Sequence, residues 1–592
     1  MLYKKLAELY HEASSTTKRL EKTEILAKFF KELSEADKDV LYLLMGDIYP
    51  EYDERKIGVS SQLAIKAIAK STGTENSEVV HEWKKIGDLG KVAEELKKKK
   101  KQSTLSHHNL TTEKVLENLR KLPALEGKGT VEKKLSLIIE LLTSASPIEA
   151  LYLIRTLIGD LRIGIKESTI RDSMALAFFP SEEKANAAKK IQNAIDNSND
   201  VSEVFEMVKK KNLKNLEKIS LEVGKPIKAM LAQKAKTIHD GFEAVGKPCA
   251  VEYKYDGFRM IIHKKEDKVI LFTRRLENVT RQFPEVVEYV KKYVDGKSFI
   301  LDSEAVGFDK KTKRYTPFQN ISQRIRRKYD IEKLRGEMPV EVNVFDILYY
   351  NGKSLLNEPF EKRTELLRKV VQKVPYKIIH AKQIITGDEK KAAEFYKSAL
   401  HENQEGVMMK NLQAIYQPGS RVGHMLKVKP EERDYDLVIV GGEYGTGKRS
   451  GWLSSFILAC RDEKTRKYLE IGKVGTGISE KSEISHSSAR DVERKEKSIG
   501  GKKEKISFHE LTEKLKPYFV KEHGKTVEIK PKIIVAVTYQ EVQKSPNYNS
   551  GFALRFPRFT ALRNDKPLSE ITSLQEIEKD IEHQKKRNYM YG

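Results

Sequence analysis

At 592 residues the chain is too long for one hydrophobic core, so three or four domains are expected. Its two cysteines, Cys249 and Cys460, exclude a disulfide framework or a cysteine zinc site. No apolar run nears the roughly 18 residues of a membrane span, and "MLYKKLAELYHE" reads as amphipathic, not as a signal peptide, so a reducing cytoplasm is the expected compartment. The charge of +24, from 110 Lys and Arg against 86 Asp and Glu, with a pI near 9.4, calls for a polyanionic partner, nucleic acid ahead of membrane.

Residues 1–228 read as all-helical. Glycine and proline are sparse, and apolar residues recur at three and four, as in "IEALYLIRTLIGD", where Ile148, Leu151, Tyr152 and Arg155 mark a stripe and its flank. The five lysines Lys97 to Lys101 and the polar run after them read as an exposed connector. Gly224 and Pro226 then break the pattern. Residues 229–430 alternate short β-like runs ("KVILFTRR", "SFILDSEAVGF", "VEVNVFDILYY") with helices such as "EPFEKRTELLRKVVQKV", as an α+β domain would. In residues 431–592 five strands separated by glycine or charge suggest a small β-barrel, an OB-fold first, closed by a terminal helix "SLQEIEKDIEHQKKR".

Two stretches compete as the reactive centre. Gly442, Gly447 and Lys448 match G-x-x-x-x-G-K, but Arg449 stands where a magnesium-binding hydroxyl is needed. "GWLSSFILAC" after it reads as turn and strand, so no helix N-terminus faces a phosphate. A glycine-rich β-hairpin is the better reading. In "VEYKYDGFRM", strand alternation puts Glu252, Lys254 and Asp256 on one face, running into Gly257 and then Arg259. K-x-D-G-x-R is expected by chance about once in a hundred chains of this length. A lysine attacks phosphorus only as the neutral amine, so it needs burial or neighbouring cations. Downstream, "TRRLEN" supplies Arg274, "EGVMMK" supplies Glu405 and Lys410, and "MLKVKP" puts Lys427 and Lys429 on one strand face.

"EYKYDGFR" resembles motif I of the covalent nucleotidyltransferases, which include DNA ligases, RNA ligases and mRNA capping enzymes. "FTRRLENVT", "FILDSEAVGF", "VEVNVFDILYYNG", "EGVMMK", "MLKVKP" and "ALRFPRFTALRNDK" are similar to the later motifs, in the family's order. "IGDLRIGIKESTIRDSMALAF", "GGEYGTGKRSGWLSSFILACRD" and "SPNYNSGFALRFPRF" narrow the resemblance to ATP-dependent DNA ligases of the archaeal and eukaryotic replicative type. The resemblance implies a helical DNA-binding domain, an adenylation domain and an OB-fold domain acting together as a monomer on nicked double-stranded DNA. It implies ATP and Mg2+, or Mn2+, as cofactors.

The resemblance also implies roles. Lys254 would attack the α-phosphate of ATP and hold AMP. Glu252 would recognise the adenine, Phe345 would stack on it, and Arg259 and Arg274 would contact ribose or phosphate. Glu304 would bind ribose hydroxyls or place a metal, and Glu405 would hold magnesium. Arg421, Lys427 and Lys429 would grip the phosphates, with Lys427 and Lys429 helping to depress the pKa of Lys254. Arg558, Arg563, Asp565 and Lys566 would orient the pyrophosphate, which requires "KVKPEERDYD" to act as a hinge. Arg162 and Arg171 are either DNA-phosphate ligands or salt-bridged surface residues. Related ligases bind a sliding clamp through an exposed peptide. Gln102 and Leu105 have its spacing, although His108 and Asn109 stand where aromatics are expected. The alternatives are an RNA ligase, a GTP-using capping-type enzyme and a non-catalytic nick-binding protein. The long helical domain argues against the first two.

Overall fold

The computed structural model describes residues 1–592 apart from 100–108, 126, 128, 211, 212, 218, 328, 431, 432, 446–448, 450, 481–505, 591 and 592. The chain forms two compact units. One comprises Met1–Thr74 with Ala93–Pro430, the other Glu75–Val92 with Glu431–Gly592.

Among the described residues before Leu216, the regular structure is helical throughout. The helix Pro147–Leu157 starts where a helix should: Pro147 opens it, and Ser146 with Glu149 forms a capping box. The expected apolar stripe is wider than its spacing suggests, because every residue from Glu149 to Leu157 is buried. Even Arg155 is covered, its guanidinium 5.4 Å from the centre of the Tyr152 ring. No described helix is long and apolar enough to cross a membrane.

A polar cluster lies at the end of this helical region. Lys228 Nζ is 2.6 Å from both Glu51 and Glu167, and the Gln192 amide donates to Glu167 and Asp196. Burial pushes the Asp196 carboxyl up to about 6, against the Gln192 hydrogen bond and the charges of Lys228 and Arg171, with Glu167 reinforcing the rise. Its ordinary value is 3.8, so between about 4 and 6 the folded chain holds a proton that the unfolded chain has lost, and stability falls as pH rises through that window. Asp196→Asn is expected to raise stability by roughly 1–3 kcal/mol at pH 7 and by little at pH 4. Melting temperatures of both proteins at the two pH values check this.

The rest of the first unit combines six α-helices with eleven strands among the described residues. The strands are β1 (Leu231–Ala235), β2 (Cys249–Lys254), β3 (Phe258–Lys265), β4 (Lys268–Thr273), β5 (Ser298–Gly307), β6 (Val340–Tyr350), β7 (Lys353–Ser354), β8 (Ile378–His380), β9 (Gln383–Thr386), β10 (Gly406–Asn411) and β11 (Arg421–Val428). One sheet has the order β1-β11-β10-β2-β9, and the other β4-β3-β5-β6-β7 with β8 on β6. Val251, Tyr253, Tyr255, Val407, Met409 and Val428 form the apolar core behind the first sheet. A second cluster joins the sheets, combining Ile261, Phe272, Ile300 and Leu348 with Val422 and Met425 of β11. The site therefore lies between two sheets that share a core.

The second unit is strand-rich. Its described strands are β12 (Arg433–Tyr444), β13 (Leu453–Arg461), β14 (Tyr468–Val474), β15 (Phe519–His523), β16 (Thr526–Ile529), β17 (Ile534–Tyr539), β18 (Glu541–Lys544), β19 (Phe552–Arg555) and β20 (Arg558–Leu562), followed by the helix Leu574–Met590. One sheet runs β14-β13-β12-β16-β15, with β17 joining β12 to β20. The sequence suggests five strands here; "KIIVAVTYQEVQ" and "ALRFPRF" each break in two, at Gln540 and at Phe556–Pro557, and β15 and β16 carry too much charge to read as strands. Phe556 has a φ of 51°, and a proline follows it, so the ladder cannot continue there. Gly442 lies in β12, which pairs antiparallel with β13, as a β-hairpin requires; Gly447 and Lys448 lie outside the described residues.

Candidate active site

Lys254 is the last residue of β2 and lies opposite Gly406, the first of β10. The Glu405 backbone N–H donates to the Lys254 carbonyl at 2.8 Å, which brings the two side chains to the same end of the sheet. Lys254 Nζ is 2.9 Å from Glu405 Oε2, and the Lys429 ammonium pairs with that same oxygen. One carboxylate thus lies between two ammonium groups. To react, Lys254 must leave this pair as a free amine.

Lys427 on β11 lies beside Met408 on one side and Lys234 of β1 on the other. Burial lowers its pKa, and the charges of Lys254, Arg421, Arg274 and Lys234 lower it further. Arg274, just after β4, and Arg421, at the start of β11, are both exposed. Lys427 thus lies in the field of four further cations. Lys429 differs from the expectation drawn from its spacing: it joins Lys254 through Glu405 and does not face it as a bare cation.

Glu252, two residues before Lys254 in β2, is 2% exposed. Its carboxylate lies 2.5 Å from Lys410 Nζ and accepts from Gln383 Nε2 at 2.7 Å. Lys410 and Gln383 come from the strands on either side of β2, so the sheet order places them. The Lys410 ammonium is also 4.7 Å from the centre of the Phe345 ring.

Phe345 has a structural reason to face a ligand. On β5, Asp302 pairs with Asp346 and Ser303 with Val344, so Phe345 is the extra residue of a β-bulge in β6. Val344 and Ile347 are fully buried, whereas Phe345 is only half-buried and stays out of the core. Asp346 anchors the bulge: Arg363 donates to its two oxygens at 2.8 and 3.0 Å, and both side chains are fully buried.

Arg259 on β3 lies opposite Glu304 on β5. Its guanidinium pairs with both oxygens of Asp302, donates to the Met230 carbonyl at 2.7 Å, and lies 5.4 Å from the Phe345 ring centre. Tyr416 Oη donates to Asp302 at 2.8 Å. Burial pushes the Glu304 carboxyl up to about 7; Lys254 and Arg259 pull it down, and Asp302 and Asp256 oppose them. Gly257 is required by the packing of β5. A Cβ there would lie 2.4 Å from the Ala305 carbonyl oxygen, so β5 itself fills the space.

In the second unit Arg558, the first residue of β20, is exposed. Arg563 chelates Asp565 through Nε and Nη2 at 2.9 and 2.7 Å, and Nη1 reaches both oxygens of Asp436 at 2.8 Å. Lys566 Nζ is 2.7 Å from Asp436. The Asp565 carboxyl is held down to about 2 by the Arg563 hydrogen bonds. In the helical region Arg162 is paired with Asp160, and Arg171 with Asp172 and Gln192. Gln102 and Leu105 lie outside the described residues.

Lys234, Asp302, Asp346, Arg363, Gln383, Tyr416 and Asp436 do not stand out in the sequence. Only Asp302 left a signal there: it lies two residues before Glu304, hence on the same strand face. For a divalent metal, the described residues hold no group of three or more His, Cys, Asp or Glu side chains. Glu304 and Glu405 instead fit the sparse carboxylate environment that magnesium shares with phosphate and water. Two ammonium groups on one Glu405 oxygen mark that position as one that attracts cations.

Sequence families described as "DNA ligase N terminus", "ATP dependent DNA ligase domain" and "ATP dependent DNA ligase C terminal region" match residues 2–175, 229–429 and 449–566. The chain is 44% identical to a DNA ligase of Nanoarchaeum equitans, over 99% of each chain. It is 38% identical to a DNA ligase of Thermococcus fumicolans, over 98% of each. The solved structure "Pmar-Lig_PreS3" shares the fold with a TM-score of 0.55 at 18% identity, covering 94% of this chain and 99% of that one.

Proposed function

The chain belongs to the ATP-dependent DNA ligases, and from that premise we propose that it seals nicks in duplex DNA through Lys254. It is an enzyme that joins DNA at the expense of ATP. In the first step the Lys254 amine forms a bond to the α-phosphorus, pyrophosphate leaves, and the nitrogen loses a proton. In the second, a 5′-phosphate oxygen at the nick attacks that phosphorus, the P–N bond breaks, the Lys254 nitrogen takes back a proton as it leaves, and AMP moves to the DNA. In the third, the 3′-hydroxyl attacks the activated 5′-phosphorus, gives up its proton and expels AMP.

The observation that carries this reading is that Lys254 lies among the cations around Lys427, while Glu252, two residues before it, pairs with the Lys410 ammonium that lies beside the Phe345 ring. In our assignment Lys427, Arg421 and Arg274 hold phosphate charge, and Lys429 keeps Glu405 oriented until the nucleotide enters. Phe345 stacks on the base, Glu252 reads its edge, and Arg259, fixed by Asp302, contacts the ribose. Glu304 takes the ribose hydroxyls or a metal. Magnesium, with manganese as an alternative, would be held by Glu304 and Glu405 and would offset phosphate charge.

We further assign the second unit to an OB-fold, whose Arg558, Arg563, Asp565 and Lys566 orient the pyrophosphate. The domain limits are 1–228, 229–430 and 431–592, with the hinge near residue 430. Arg162 and Arg171 would reach DNA phosphate by exchanging their carboxylate partners for it. The enzyme would work as a monomer in the cytoplasm, on the nucleoid, and Gln102 with Leu105 would offer a sliding clamp its contact. Ligation of a labelled nicked duplex, with each nucleotide supplied separately, tests the central claim. ATP is expected to support sealing and to label the protein with AMP. Labelling by GTP alone, or sealing of RNA alone, would replace this reading with a capping-type enzyme or an RNA ligase.

A further inference from the structure

Asp436 is a carboxylate in ion-pair contact with both cations, Arg563 and Lys566. The strand that carries it is pinned on both sides. In β12, Asp436 pairs with Ala536 of β17, its N–H donates to Thr572 Oγ1 at 3.1 Å, and its carbonyl accepts from the Thr572 N–H at 2.9 Å. Its side chain is 12% exposed, whereas that of Asp565 is 64% exposed. The backbone N–H of Arg563 is itself fixed to the Ile534 carbonyl at 2.9 Å.

The charges explain what this arrangement does. Arg563 and Lys566 repel one another, and each has several rotatable bonds, so without a common anchor the two would separate and sample many rotamers. Asp436 offers both oxygens to one edge of the guanidinium and one of them to the ammonium, which fixes the pair side by side. The other edge of Arg563 faces the exposed Asp565. Of the two acids, Asp436 is the fixed member.

We propose that Asp436 is a positioning residue for the first step, holding Arg563 and Lys566 together for the pyrophosphate end of ATP. This rests on the assignment of Arg563 and Lys566 to pyrophosphate made above. Asp436 touches neither substrate nor the reacting atoms; it acts through the two cations. The role is therefore confined to reactions in which pyrophosphate leaves or returns.

Full-length protein carrying Asp436→Asn, Asp436→Glu or Arg563→Ala is compared with wild type in three single-turnover assays. These are AMP labelling from ATP, discharge of the labelled protein by inorganic pyrophosphate, and sealing of a nick already carrying AMP. Asp436→Asn is expected to slow labelling and discharge by the order of 10²-fold, and to leave sealing of the pre-adenylated nick within about twofold. Asp436→Glu, which keeps the charge, is expected to recover most of the labelling rate. Equal losses in all three assays would reduce Asp436 to a structural part and overturn the proposal. Normal labelling by Asp436→Asn, with labelling lost in Arg563→Ala, would overturn it while sparing the assignment of Arg563. Normal labelling by Arg563→Ala would remove the assignment beneath it.

Discussion

Lys254→Ala is expected to lower ligation from ATP by at least about 10⁴-fold, because the residue that forms the covalent bond has no substitute within reach. The neighbouring amines do not replace it. Lys429 is tied to Glu405, and Lys427 lies on β11, one strand removed from β2. Lys254→Arg is expected to fail as completely, since a guanidinium does not become a neutral nucleophile at physiological pH. The last step makes no use of a lysyl bond, so sealing of a pre-adenylated nick should persist in both variants. Loss of AMP labelling together with retained sealing of that substrate is the expected pair of results. Labelled Lys254→Ala protein would move the nucleophile elsewhere.

How much of this site is legible in the sequence depends on how local each contact is. Lys254 and Glu252 lie on one face of one strand, and alternation alone joins them. Glu405 and Lys429 could be placed from their motifs, but not their shared oxygen, which depends on β10 and β11 starting and ending at the same sheet edge. Phe345 illustrates the limit. In "VEVNVFDILYY" a two-residue period puts Phe345 on the face opposite Val342 and Val344, but no local pattern announces the register slip at Asp302–Ser303 that makes it the extra residue and returns Ile347 to the core face. Gly257 stands out in its motif, but the neighbour that requires it, the carbonyl of Ala305, comes 48 residues later. Tyr416 reaches Asp302 across 114 residues and Asp436 reaches Arg563 across 127, distances over which no periodicity carries information.

The same distinction separates the two candidate reactive centres and the parts of the fold. The motif that begins at Gly442 fails on adjacent residues, Arg449 and the strand after it, which are local and therefore readable. The helical region and the alternating strands of residues 229–430 follow periods that survive packing. The strands β15 and β16 do not. β15 is almost wholly exposed and β16 is only four residues long, and they are strands because β12 offers β16 an edge and β16 offers one to β15. What the sequence lacks in each case is the partner, which the ladder supplies.

Asp346→Ala is expected to cost about 3–5 kcal/mol of stability, because it leaves the Arg363 guanidinium buried at 1% exposure with its main counter-charge removed. Arg363 would keep its bonds to the carbonyls of Glu358 and Ala414, which do not neutralise a charge. Replacing both residues at once should recover much of the loss, since a buried pair exchanged for apolar groups of similar size is often near neutral. Asp346→Ala with Arg363→Met therefore separates the two jobs of the pair. Denaturant midpoints are expected to return toward wild type in the double variant. The KM for ATP in AMP labelling should stay raised, because Asp346 also accepts from the Ile347 N–H at 2.9 Å and so shapes the bulge that presents Phe345. A double variant with both stability and ATP affinity restored would mean that the bulge holds without Asp346, and that Phe345 owes its position to β5 alone.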